Sequence, residues 1–240
     1  MLRLALWLVL IKLKMNELKS KLCSIGLFAK FPQTGCVKTR LIPLLGEEGA
    51  TQFARYLILS FLQRLLSQAR TYDWQVNVWY SGGCLADWKN LCKPINLSLS
   101  QCLVWQPQLQ GHLGQRLSHA LKYQLQHSQQ AILVGADAIE FNASTVQVMY
   151  QHLVHHPLVF VPAHDGGYVA VGATQVQPCV FDASIHWGTH TVLAQSLEHA
   201  SRHQIQVSLL PAQLDLDTPA DFELALSMQL IPNDWATAYA

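Results

Sequence analysis

From residue 24 to residue 228, short apolar runs alternate with segments of helix length, and this alternation constrains the fold more than any other feature of the chain. Residues 24–29 (SIGLFA) read as a buried strand. Residues 74–80 alternate as a strand should, and Ser81-Gly82-Gly83 stops them. Further strands are expected near 102–105 and at 131–135, 158–162, 169–172 and 206–210. The run AILVG at 131–135 is apolar throughout, as a central strand covered on both faces would be. Between these lie helical periods at 47–70, 113–127, 144–155, 190–203 and 218–228, the last with Pro219 in its first turn. Strands and helices in this order predict a three-layer α/β/α sandwich on a mostly parallel sheet. No repeat or linker interrupts it, so one domain over 24–240 is expected.

Composition narrows the partners. The 240 residues carry 16 basic and 15 acidic side chains, and only 13% are charged, about half the usual ~25%. Such a chain has no basic footprint for nucleic acid, so any anion must be held by a local site. Six cysteines without a C-x-x-C pair read as reduced thiols of a cytoplasmic protein. The apolar stretch 4–11 (LALWLVLI) is too short to cross a bilayer, which takes ~20 residues, and no small-residue cleavage site follows it. Residues 1–23 are therefore an extension, either ahead of a start at Met15, the favoured reading, or a weak interfacial anchor. Membrane contact is confined to residues 1–14.

In an open α/β sheet, ligands bind outside the carboxyl ends of the strands. Four segments lie there. The loop 28–41 (FAKFPQTGCVKTRL) gathers Lys30, Lys38 and Arg40 around Gly35, a composition suited to a diphosphate or to a solvated basic turn. Asp137 follows the most apolar strand, placed to hold Mg²⁺ or Mn²⁺ or to cap the next helix, although Asn142 and Ser144 offer caps as well. Asp165-Gly166-Gly167-Tyr168 is a tight turn, either a plain hairpin or a place where substrate approaches the glycines. At 215–222 (DLDTPADF), Thr218 or Asp217 can cap the last helix and Asp221 suits its first turn; the Asp215/Asp217 alternation is less well explained that way.

Together these segments resemble a bacterial glycosyltransferase family with the GT-A-like nucleotide-diphospho-sugar transferase fold, related to molybdenum-cofactor and phospholactate guanylyltransferases. FAKFPQTGCVKTRL, GEEGA at 46–50, QGHLGQRL at 110–117, GAD at 135–137, HDGGY at 164–168, HWGT at 186–189 and DLDTPADF occur in the family's order. The resemblance implies that Phe28, Ala29, Lys30, Gly35, Lys38, Thr39 and Arg40 hold the nucleotide and its diphosphate, joined by Arg116. It implies metal carboxylates at Asp137 and Asp217, with Mg²⁺ or Mn²⁺ as cofactor. Asp165 would orient or deprotonate an acceptor as the catalytic residue, with Gly166, Gly167, Tyr168 and Trp187 on the sugar or acceptor side. The chain departs from the family at 138–141, where Ala-Ile-Glu-Phe replaces the usual Cys-Pro-Asp-Leu, and at His112, where an acidic residue is usual.

The expected activity is transfer from a nucleotide-diphospho-sugar donor to a small-molecule acceptor in the cytoplasm. Two alternatives stay open: nucleotidyl transfer from an NTP with release of pyrophosphate, and a nucleotide-binding protein impaired in catalysis. The related nucleotidyltransferases commonly carry a glycine-rich L-x-G-G-x-G-x-R loop, which this chain lacks. The i,i+4 pairs His152/His156, His186/His190 and His199/His203 have metal-binding spacing, but eleven histidines make such pairs common by chance.

Overall fold

The computed structural model describes residues 21–95 and 102–237. Seven strands form one sheet: β1 (Lys21–Lys30), β2 (Trp74–Ser81), β3 (Leu103–Pro107), β4 (Ser128–Gly135), β5 (Leu158–Pro162), β6 (Tyr168–Ala173) and β7 (Val207–Leu209). Their order is β3-β2-β1-β4-β6-β5-β7. All run parallel except β6, which pairs antiparallel with both β4 and β5. The mostly parallel sheet is therefore as expected. The turn after β5 does make a hairpin, but its second strand inserts beside β4.

Helices α1 (Ile42–Ala69), α2 (Leu85–Leu91), α3 (Leu113–Leu125), α4 (Ala143–Leu153), α5 (Val192–Arg202), α6 (Pro219–Ser227) and α7 (Asp234–Thr237) complete the chain. Leu62, Leu65 and Leu66 of α1 and Val146 and Met149 of α4 pack with Ile25, Leu27 and Val134 in one buried cluster. Leu117 and Leu121 of α3 and Ala200 of α5 pack with Leu133, Phe160 and Val171 in another. Two cores separated by one sheet give the three layers. Gly46 breaks the regular backbone inside α1, with φ 69° and ψ 170°, so the helix proper begins where its period does, at 47.

Several elements differ from expectation. β1 starts at Lys21, three residues before 24, and pairs there with Ser128. Helix α5 starts at Val192, not 190, because Thr189 and Thr191 occupy a turn bonded to His186. Helix α2 was not expected at all. It is seven residues long, and Trp88 within it is fully buried, its indole N–H donating to the Gly82 carbonyl at 2.8 Å. The readings made of residues 1–20 lie outside the described residues. No helix among the described residues is long and apolar enough to cross a membrane.

Candidate active site

The loop after β1 folds on itself before it presents any charge. Gly35 takes φ 72° at the third position of a turn closed by Cys36 N–H donating to Gln33 O at 3.0 Å, the place where such a turn demands glycine. Lys30 donates its ammonium to the Cys36 carbonyl at 2.9 Å, so this cation is used to shape the loop. Lys38 then adopts a left-handed backbone, φ 48° and ψ 39°, ahead of a 3₁₀ turn at Thr39–Leu41. That conformation costs a non-glycine residue roughly 1–2 kcal/mol. Leu41, fully buried, anchors the turn.

This turn directs two cations at two carboxylates. Lys38 Nζ lies 2.7 Å from Asp137 Oδ1 and 3.7 Å from Asp217 Oδ1, and donates to Leu216 O at 2.5 Å. Its side chain is 6% exposed, against 41% for Asp137. Lys38 is therefore no solvated rim charge, as its place on a basic loop had suggested. Arg40 is exposed and reaches Asp217 Oδ2 at 2.7 Å.

The segments bearing the carboxylates brace one another. Ala138 and Asp215 form an antiparallel bridge, Leu216 N–H donates to Asp137 O at 3.2 Å, and Leu214 N–H donates to Glu140 Oε2 at 2.6 Å. Phe141 stacks on Phe61 of α1 with centroids 5.9 Å apart. The Ala-Ile-Glu-Phe departure is thus a packed strap that fixes the 213–217 segment to the end of β4. Asn142, not Asp137, caps α4, accepting from Ser144 and Thr145 N–H. Thr218 caps α6 in a reciprocal box with Asp221, whose Oδ2 also accepts from Asp217 N–H at 3.2 Å. Neither Asp137 nor Asp217 spends its side chain on a helix end.

Two cavities open on opposite faces of the sheet at this rim, and Phe28 and Asp137 border both. One of about 210 Å³ also involves Ala29, Lys30, Lys38, Ala136 and Asp217. The other, about 150 Å³, lies between α3 and β6 and involves Leu113, Leu117, Tyr168 and Asp215. Burial raises the Asp215 carboxyl to about 7, with the negative charge of Asp137 adding and Lys38 opposing.

Oxygens of Asp137, Asp217 and Leu216 surround one position that a cation already fills, here an ammonium. Hard oxygen donors around a cation position suit Mg²⁺ or Mn²⁺. Among the described residues no group of three or more His, Cys, Asp or Glu side chains is arranged to hold a metal. Two carboxylates nonetheless match the usual Mg²⁺ pattern, in which phosphate and water complete the shell.

The remaining expected residues are more dispersed. Arg116 reaches Gln108 Oε1 at 2.8 Å while its buried Nε has no partner, and Gln108 in turn donates to Trp79 O. Thr39 is exposed. Asp165 accepts from Gly167 N–H at 2.8 Å, closing its own turn, and is near enough to act on the charge of Asp215. Gly166, at φ 90°, abuts the backbone of His190, where a Cβ would come within 2.0 Å of the carbonyl oxygen. Tyr168 borders the smaller cavity, its hydroxyl buried and unpartnered. Trp187 packs on Gly114 of α3, stacks on His112 and donates to Asp182 O, away from both cavities. His112 itself caps α3. His156 and His203 each bond the backbone carbonyl four residues earlier, and His152 bonds Ser208, so these pairs serve the fold. Sequence reasoning missed Gln108 and Glu140, whose partners lie in other segments.

No curated protein matches the chain. Its fold is similar to that of a Desulfovibrio desulfuricans G20 protein named as a candidate nucleotide-diphospho-sugar transferase, with 28% identity, 88% of each chain covered and a TM-score of 0.76. A 4-diphosphocytidyl-2C-methyl-D-erythritol synthase from Anaerococcus prevotii DSM 20548 shares the fold at 10% identity, over 88% of this chain and 99% of that one, with a TM-score of 0.55. A cytidylyltransferase from Leptospira borgpetersenii does so at 12% identity, over 91% and 92%, with a TM-score of 0.51. The sheet and its flanking helices are thus of the nucleotide-diphospho-sugar transferase kind. A family model described as "Uncharacterized protein conserved in bacteria (DUF2064)" matches residues 64–189, just over half of the sequence, and the chain belongs to that family.

Proposed function

We propose that this protein is a metal-dependent transferase that takes a sugar from a nucleotide-diphospho-sugar donor and passes it to a small-molecule acceptor. The observation that carries this reading is the convergence of Asp137 and Asp217, from distant parts of the chain, with Lys38 and Arg40 at the carboxyl ends of the strands. Carboxylates beside cations, open to a cavity, suit a metal-bound diphosphate. The 28% identical neighbour named for the same donor class supports the reading.

Asp137 and Asp217 would hold Mg²⁺ or Mn²⁺, which when bound supplies positive charge against the diphosphate. Arg40 adds a bidentate donor at the exposed side, and Lys38 a point charge. The 28–30 strand end, Gly35 and Thr39 flank the donor, with Arg116 on the nucleotide side. Asp165 orients or deprotonates the acceptor, a role a positioned carboxylate can fill. Gly167 and Tyr168 would border that acceptor, with Gly166 and Trp187 supporting the walls. The six free thiols are consistent with a cytoplasmic setting.

The second reading, nucleotidyl transfer, uses the same carboxylates and is separated by its product. A thermal-shift screen of UDP-, GDP-, ADP-, dTDP- and CMP-linked sugars and of NTPs, with and without Mn²⁺, identifies the donor through stabilisation of the folded state. Release of a nucleoside diphosphate from its sugar donor (or of CMP from a CMP-linked one), with the sugar on the acceptor, supports glycosyl transfer. Release of pyrophosphate from an NTP replaces it with nucleotidyl transfer. No stabilisation by any nucleotide defeats both.

A further inference from the structure

The cation shared by the two carboxylates is the chain's own. Lys38 Nζ lies among Asp137 Oδ1 at 2.7 Å, Leu216 O at 2.5 Å and Asp217 Oδ1 at 3.7 Å. A divalent ion held by the same oxygens would have to stand where the ammonium stands, and two cations in contact repel strongly in a partly buried site. The lysine stem is 6% exposed, whereas Asp137 and Asp217 are 41% and 40% exposed. A metal can therefore reach the carboxylates from solvent while the ammonium is held from the protein side. Lys38, Asp137 and Asp217 all border the 210 Å³ cavity, which leaves space beside the carboxylates for the ammonium to move into.

From this arrangement we infer that Lys38 is an exchangeable internal counter-ion: it neutralises Asp137 and Asp217 in the nucleotide-free protein, yields its place to the divalent metal, and turns its ammonium onto a phosphate oxygen of the incoming donor. The inference rests on the proposed donor site and adds to it a positioning role for Lys38. Metal alone binds weakly, because it must evict a cation that then has no partner. Phosphate supplies that partner, so metal and diphosphate each raise the other's affinity by one common factor. The two carboxylates are never left facing each other uncompensated.

Amine footprinting of the full chain tests this without reference to turnover. Acetylation of Lys38, read by peptide mass spectrometry against the exposed Lys122, should be slow in EDTA and about tenfold or more faster with Mn²⁺. It should slow again when inorganic pyrophosphate is added with Mn²⁺. In parallel, Lys38→Met should bind Mn²⁺ about tenfold or more tighter than wild type by paramagnetic titration, whereas Lys38→Arg should not. Mn²⁺ binding that leaves Lys38 protected, or a Lys38→Met protein with no tighter Mn²⁺ binding, overturns the exchange. If Lys38→Met does not fold, the wild-type footprint decides alone. An unchanged footprint in a protein still stabilised by donor nucleotides refutes the exchange and spares the donor site. Absence of both Mn²⁺ and nucleotide binding in every form refutes both.

Discussion

Two stretches of the same rim look alike in sequence and differ in use. The Asp137 region and the Asp165 region each place an aspartate within two residues of a glycine, shortly after a buried strand. In the first, the carboxylate reaches a cation supplied by a different loop and is braced by a segment near the end of the chain. In the second, the carboxylate closes its own turn on Gly167, and Gly166 is fixed by the backbone of His190. A carboxylate that closes its own turn through one oxygen is held in a fixed place, with the other oxygen left to orient a ligand. One satisfied only by a distant partner forms a site whose members can change partners.

The largest effect that would sharpen this contrast is Asp137→Asn, which keeps shape but removes the charge. It should abolish the dependence of nucleotide affinity on Mn²⁺ and lower transfer by about 10²–10³-fold, the size of lost electrostatic stabilisation at such sites. Calorimetry with EDTA and with Mn²⁺ checks the first part. Equal binding by wild type under both conditions breaks the metal reading.

Gly166→Ala comes next. Its Cβ would press on the His190 carbonyl, and its backbone would sit at φ 90°. A loss of about 2–4 kcal/mol in urea unfolding is expected, with nucleotide affinity of the folded fraction unchanged. A stable variant that fails to bind would move this turn from packing to recognition.

Asp215 supplies a third test, through pH. Its folded-state value of about 7 lies above the ordinary carboxyl value of 3.8, so the folded protein holds a proton that the unfolded chain has lost. Stability should therefore fall as pH rises from about 4 to 7, and remain lower above that. Asp215→Asn should flatten this slope and stabilise the metal-free protein above pH 7 by about 1–4 kcal/mol. Urea titrations in EDTA at pH 5 and pH 8 measure it, and parallel slopes in both proteins would remove Asp215 as the source. Arg40→Ala is the smallest change. Its exposed pair with Asp217 is worth about 0–1 kcal/mol to the fold, so the expected loss is in donor affinity, about tenfold or less.

Much of the fold was legible because buried strands announce themselves by composition. The apolar 131–135 run and the alternating 74–80 segment needed no tertiary information to be read as strands. Helix α2 was illegible for a local reason: its cap is Cys84, paired reciprocally with Asp87, and cysteine is not a residue that signals a helix start. The insertion of β6 between β4 and β5 was equally hidden, since a tight turn fixes a hairpin but not its neighbour in the sheet. At the site, position at the strand ends singled out Lys38 and Asp137 as candidates, and the family resemblance added Asp217. Neither could show that Lys38 neutralises the two carboxylates, because contacts between remote residues leave no period in a sequence.

The brace between the end of β4 and residues 213–217 has a bearing on synthesis. A chain emerging from the ribosome carries Lys38 and then Asp137 well before the bridge to Asp215, the bond from Leu216 N–H and the carboxylate of Asp217. Until then Glu140 has no Leu214 to hold and the strand end bearing Asp137 lacks its support. That rim is completed only after the cores on both faces of the sheet have most of their residues, so the meeting of Lys38 with Asp137 and Asp217 is a late event in synthesis.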